Sequence, residues 1–503
     1  MTFTRKPVFW ILHFLFFIAC VLYAWKNFNR AFPFVDIQIK MDRKTALEKA
    51  AQLASDHGLF PKQGYLKAVT FQIDSPTQNF IELEAGGPRS LKSILKEGVY
   101  TPYTWQVRHF AQGQTNESRL SFTPDGTLYG LWEKISEDDP GAALDAAQAR
   151  KLAESSAQGS WAVDLKPYHL VEQASQTRKS GRVDHSFIYE RGQVGDGKYR
   201  LKLSLSGNRL SEISRFIQVP DAFFRRFEAM RSANSTVSSL AGAVIVLLYG
   251  LGFCGFGLFT LARRHAVLWR RPAALAAFIS LLQFLDHLNR LPLEWMDYDT
   301  AISTQAFVVR LVTNWLLEAI FDFIIVVIPL LAGESLSRLA FADHPQLWRV
   351  FTGDAAGSRQ IFGRILGAYL LVGLNFAWAA WIYIVGSQRL GWWNPSELLF
   401  HPDELATYFP WLTSIANSLH AGIWEECLFR AVPLAGAALL GNRFGRRAAW
   451  IAGAFILQML VFGAAHADYP AQPSYARLVE LLVPSSLFGG MYLLFGLLPA
   501  MLM

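Results

Sequence analysis

Apolar patterning predicts a polytopic α-helical membrane protein of about eight transmembrane helices, with an α+β extracytoplasmic domain inserted near the N-terminus. Three observations lead there. Charge-poor apolar runs recur, each long enough to cross a hydrocarbon layer roughly 30 Å thick. A polar stretch, residues 31–236, separates the first run from the others. Arginine clusters then fall in alternate loops of the C-terminal half.

The first run, residues 7–25, contains no Asp, Glu, Lys or Arg. Arg5 and Lys6 precede it as they would a secretory signal. Its length, and Lys26 and Arg30 where a small-residue cleavage site would stand, favour an uncleaved anchor over residues 1–30. Residues 31–236 follow as one polar domain, and they repeat a plan of amphipathic helix, short strands and closing hairpin. The first helix places Leu47, Ala50, Leu53 and Ala54 on one face with Gly58 as its cap. The second ends at Gly159, about a hundred residues later. The hairpins turn at Asp125-Gly126 and Gly207-Asn208, each flanked by alternating apolar residues. This plan resembles two tandem copies of the PepSY family of small extracytoplasmic domains. His57, His109, His169 and His185 lack ligand spacing, so the domain is expected to hold or admit a partner. The sequon at Asn116-Glu117-Ser118 would matter only in a glycosylating pathway.

Seven further apolar runs lie near 237–262, 272–286, 311–332, 365–386, 411–441, 448–466 and 481–503. They divide into a helical region over 237–363 and a last region over 364–503. Between them come Arg263, Arg264, Arg270 and Arg271, then Arg338, Arg349, Arg359 and Arg364, then Arg443, Arg446 and Arg447. The positive-inside rule makes these loops cytoplasmic and puts 31–236 across the membrane. The formal charge of +7 is thereby explained by topology and implies no nucleic acid. Cys20, Cys254 and Cys427 all fall in apolar runs, so no disulfide supports the polar domain.

Chemistry concentrates where Glu425, Glu426 and Arg430 interrupt the run at 411–441. One carboxylate at the centre of a membrane helix costs roughly 2.5–3.5 kcal/mol on insertion scales, so this cluster implies a function or a structural ion pair. Arg430 stands four residues after Glu426 and five after Glu425. On a helix Glu426 shares its face, and Glu425 points about a quarter-turn away, free to hold a water or a metal. The next run ends in Phe462 and, one turn on, His466. Glu425 lies seventeen residues before Asn442 and His466 nineteen after Arg447, so antiparallel helices would bring both to similar depth. Asn314, Glu318 and Asp322, with Arg310 a turn earlier, make a polar stripe that suits interhelical packing better than a water path. His420 and Asn417 read as packing or supporting groups, and Cys427 as structural.

The motifs E-E-x-x-x-R at Glu425, Glu426 and Arg430 and F-x-x-x-H at Phe462 and His466 resemble those of the CAAX protease and bacteriocin-processing (CPBP, or Abi) family of intramembrane endopeptidases. The resemblance covers roughly 365–503. It implies a protease acting in the lipid bilayer on a membrane-associated protein or peptide, expected in a bacterial cell membrane. Eukaryotic members cut prenylated CAAX proteins, whereas the large extracytoplasmic domain suggests a membrane-bound or exported peptide. Glu425 would be the general base and His466 would orient the water, with Glu426, Arg430 and Phe462 in support. A metal-free mechanism is favoured. The alternative is a zinc metalloprotease with Glu425 and His466 as ligands. The family's third motif, a His followed by Asn or Asp, is expected beyond Met503, so the chain reads as truncated and incomplete in its site. The competing class is a non-catalytic scaffold or transporter whose buried charges only lock helices together.

Overall fold

A computed structural model describes residues 6–32, 37–396 and 402–503. Arg5, at the head of the expected anchor, lies outside the described residues. The chain opens with helix α1 (Pro7–Ala31), whose end leads to a β-rich domain. That domain comprises α2 (Arg43–Asp56), β1 (Leu66–Ile73), α3 (Ser75–Glu84), α4 (Gly87–Glu97), β2 (Tyr103–Phe110), β3 (Glu117–Phe122) and β4 (Leu128–Lys134). It continues with α5 (Ala146–Gly159), β5 (His169–Thr177), β6 (Val183–Val194), β7 (Gly197–Ser206) and β8 (Arg209–Gln218).

The repeated plan is visible in the fold. Each half supplies one helix and a four-stranded antiparallel meander, and the halves join along β4 and β8 through Leu131↔Ile213 and Trp132↔Glu212. The sheet order is therefore β1-β2-β3-β4-β8-β7-β6-β5. Asp42 starts α2 by accepting from the Thr45 amide at 2.8 Å, and Asp145 starts α5 by accepting from Ala147 and Gln148. Ala46, Ala50 and Ala54 of α2, and Ala149, Ala153 and Ala157 of α5, are buried in one core with Phe71, Trp105, Phe187 and Leu203. A stripe of alanines lets each helix lie close on the sheet. One departure from the expected plan is the helical pair α3–α4 between β1 and β2. Asp74 caps α3 on the Thr77 amide, and Pro76 and Pro88 occupy first-turn positions where no N–H is needed.

The membrane part follows β8 directly. It comprises α6 (Asp221–Val244), a π-helical stretch over 245–256, α7 (Gly257–Arg263), α8 (Arg270–Asn289), α9 (Leu291–Glu294), α10 (Thr304–Ala340), α11 (Gly353–Ala356) and α12 (Arg359–Arg389). Then come α13 (Pro410–Glu426), a π turn at Cys427–Ala431, α14 (Val432–Phe444), α15 (Arg447–Ala465), α16 (Ala476–Phe495) and α17 (Leu497–Leu502). Six helices among the described residues are long and apolar enough to cross a bilayer. The expected eight is not reached on that criterion; the two expected spans outside it are α8, which carries Arg270, Arg271 and Asp286, and the run of α13 and α14, which carries the Glu–Glu–Arg cluster.

The last expected span, 481–503, is not one helix. It begins at Ala476, and at Gly496 the backbone turns with φ 90°, a conformation glycine adopts without steric cost. The short α17 then lies so close to α13 that a Cβ on Gly422 would meet the Met501 carbonyl oxygen at 3.0 Å. All three cysteines are free and buried.

Candidate active site

The Glu–Glu–Arg cluster sits where α13 gives way to the π turn at Cys427–Ala431. Pro433 explains the change locally. It has no N–H to return to the Phe429 carbonyl, and its ring crowds that carbonyl, so the helix widens just before it. Such single π turns recur at functional positions in membrane and soluble helices alike.

Arg430 is fully buried, and its Nε lies 3.5 Å from Glu426 Oε1. Nη2 reaches Ser485 Oγ of α16 at 3.5 Å. Its guanidinium lies 3.9 Å from the centre of the Phe462 ring on α15 and 5.1 Å from that of Phe488 on α16. A cation held between desolvated rings in this way gains on the order of 2 kcal/mol from each well-placed face. Glu426 is itself only 4 % exposed. Glu425 is half-buried and, among the described residues, has no hydrogen-bond or ion-pair partner, with Arg430 and His420 the charged groups acting on it.

Phe462 connects this cluster to the second motif. Its ring carries Arg430, and its carbonyl oxygen accepts from His466 Nδ1 at 2.8 Å. A carbonyl can only accept, so Nδ1 bears a proton, and in the neutral ring Nε2 keeps a lone pair. His466 stands just past the end of α15, in a 3₁₀ turn that runs to Asp468. The structure thus brings Glu426, Arg430, Phe462 and His466 into one connected set, with Glu425 on the adjoining turn.

Polar groups on α10 find neighbours on other helices. Asp322 accepts from Ser280 of α8 at 2.7 Å and pairs with His420 Nε2 of α13 at 2.7 Å. Glu318 lies 3.3 Å from His287, whereas Asn314 and Asn417 are exposed. The stripe on α10 therefore ties α8, α10 and α13 together. Cys427 packs where α10 crosses closely at Gly333.

Several groups escaped the sequence reading. Glu334 on α10 is buried and accepts from the Leu347 amide, and Arg477 pairs with Glu480 at 2.6 Å on α16. Both carboxylates stand beside apolar runs, a signal that could have found them. Asn234 on α6 is fully buried against the segment after His466, and no local signal marks it.

Among the described residues, no three His, Cys, Asp or Glu side chains come together as a metal-holding group. Glu425 and His466 would offer two of the three ligands that a catalytic zinc takes from protein.

Residues 407–503 match the model of a family described as type II CAAX prenyl endopeptidase Rce1-like. Every residue of both motifs lies inside that stretch. No curated protein and no solved structure matches the chain.

Proposed function

We propose that this integral membrane protein, whose region 407–503 belongs to the CAAX protease and bacteriocin-processing family, is an intramembrane endopeptidase with Glu425 as general base and His466 as the group that orients the attacking water. Glu425 takes a proton from water as the oxygen attacks a peptide carbonyl, then returns it to the departing amine. A base positioned for this contributes about 10²–10⁴-fold. The lone pair on His466 Nε2 accepts from the same water and fixes its direction. The substrate is a membrane-associated protein or peptide. The sheet domain, a tandem of PepSY-like units, stands outside the cytoplasm and holds or admits that substrate.

One observation supports this reading above the others. The two motifs are registered by a continuous contact chain, Glu426 to Arg430 to Phe462 to His466, while Glu425 has no partner among the described residues. A set of charges serving only to lock helices would use both glutamates. The test is Glu425→Gln in the full-length protein in lipid. Cleavage of a membrane-peptide substrate should fall about 10²-fold or more with thermal unfolding unchanged. A variant that cuts as well as the parent would support the scaffold reading instead.

A further inference from the structure

The segment after His466 is held by one face of the helix that carries the sheet domain. Arg231, Asn234, Ser235 and Ser238 are spaced as successive turns of α6. Asn234 is 0 % exposed, and its Nδ2 donates to the carbonyls of Ala467 at 2.8 Å, Tyr469 at 3.2 Å and Ala471 at 3.0 Å. Its Oδ1 accepts from Gln472 Nε2 at 2.6 Å. Ser238 donates to the Ala465 carbonyl at 3.1 Å, immediately before His466, and Ser235 donates to Asp468 at 2.9 Å. Arg231 lies 3.5 Å from the same Asp468 carboxylate. Four side chains of one helix therefore hold the chain on both sides of His466, Asn234 and Ser238 through backbone carbonyls, Ser235 through the Asp468 carboxylate and Arg231 through both the carboxylate and the carbonyl of Asp468.

The other side of the loop is held as well. Gln472 and Trp393 exchange backbone hydrogen bonds at 2.7 and 2.9 Å, and Trp393 Nε1 donates to Glu82 of α3 at 3.0 Å. A buried polar side chain with its donors and acceptors all engaged is costly to displace, because each stranded group loses about 1–3 kcal/mol. The 3₁₀ turn bearing His466 is thus anchored twice to the β-rich domain, through α6 and through Glu82.

We propose that Asn234 is a positioning residue: through the carbonyls of Ala467, Tyr469 and Ala471 it sets where the His466 imidazole stands. The inference rests on the role given to His466 above, and deepens it by making the helix that follows the sheet domain part of the site's scaffold. Substrate or partner engagement on that domain would then have a direct route to the catalytic turn.

The test labels histidine with ¹⁵N in the full-length protein in lipid nanodiscs and assigns the His466 ring signal by its disappearance in His466→Ala. Asn234→Ala should move or broaden that signal, while Thr236→Ala, on an exposed position of the same helix, should leave it unchanged. Cleavage by Asn234→Ala should lose kcat on the order of 10–100-fold with KM held within about twofold, as misplacement of a catalytic group does. A folded Asn234→Ala protein with the parental His466 signal overturns the proposal. If Asn234→Ala does not fold, Gln472→Ala, which removes one bond of the same latch, decides by the same signal: a shift supports the proposal and an unchanged position overturns it. The ring signal is read without turnover, so an inactive parent protein would refute the protease reading and leave this result standing.

Discussion

Glu425 and Glu426 are adjacent and chemically identical, yet among the described residues Glu426 alone of the two has an ion-pair partner, Arg430 at 3.5 Å. Glu426→Gln would leave the Arg430 guanidinium buried without its counter-charge, and breaking such a pair costs about 3–5 kcal/mol. Glu426→Gln and Arg430→Ala should therefore lower the unfolding temperature in detergent, with activity falling as a consequence, whereas Glu425→Gln and His466→Ala should lose cleavage and keep their stability. If Glu425→Gln melts early and Glu426→Gln is stable but inactive, the two roles must be exchanged. A second titratable group shapes the sheet domain. His109 is 1 % exposed, and burial, with Lys67 nearby, pushes its pKa down to about 4 from 6.5. The folded state prefers the neutral ring, so the full stabilisation holds above about pH 6.5 and is lost as pH falls through 4. Its size is about 3 kcal/mol, and His109→Gln should flatten the pH dependence of unfolding between those values. The motif residues could be read from the sequence because charges in an apolar run are costly and helical spacing sorts their faces. Asn234 could not, because its partners lie more than 230 residues away and a polar residue just before an apolar run reads as solvated.

The α15–α16 hairpin depends on a glycine next to the second motif. A Cβ on Gly463 would meet Leu478 Cα at 2.9 Å and its carbonyl oxygen at 3.0 Å. These are backbone atoms, so the clash cannot be relieved by turning a side chain, and close helix approach at small residues is what holds membrane helices together. Gly463→Ala should force α15 and α16 apart beside Phe462 and His466, lowering both thermal stability and cleavage; parental values of both would show that the helices have slack there. The two helix-plus-meander units of the sheet domain were readable from alternation, turn residues and the amphipathic helix that opens each. Their union along β4 and β8 was not, because strand pairing between distant segments leaves no local mark. Helices α3 and α4 also escaped, since FIELE reads as readily as a strand and only the Asp74 cap and first-turn prolines argue otherwise. The π turn after Glu426 had Pro433 as its one local sign.

The sheet domain is tied to the helices at several places on one side of the bundle. Arg108, paired with Glu117, donates to the carbonyls of Met296 at 2.9 Å and Tyr298 at 2.8 Å beyond α9. Gly113 donates to Thr300 at 2.7 Å, and Trp393 reaches Glu82. The segments touched lie at the end of α8, the start of α10 and the end of α12, while α6 begins directly after β8. The opposite ends of these same helices carry the denser arginine clusters, Arg263 and Arg264 at the end of α7, Arg270 and Arg271 on α8, Arg338 on α10 and Arg359 and Arg364 on α12, against single arginines, Arg290, Arg310 and Arg389, toward the domain side. Arg443, Arg446 and Arg447 fall at the turn between α14 and α15, one helix length from the loop that Asn234 holds. Charge asymmetry and domain contacts are two independent orderings of the helix ends, and they agree. The positive-inside rule predicts that the side richer in arginine faces the cytoplasm. Reporter fusions within 264–271 and 442–447 should therefore give cytoplasmic signals, and a fusion at the exposed Asp125 turn should report the far side. A cytoplasmic signal at Asp125 would invert the assignment and place the His466 turn, which shares that side, in the cytoplasm with it.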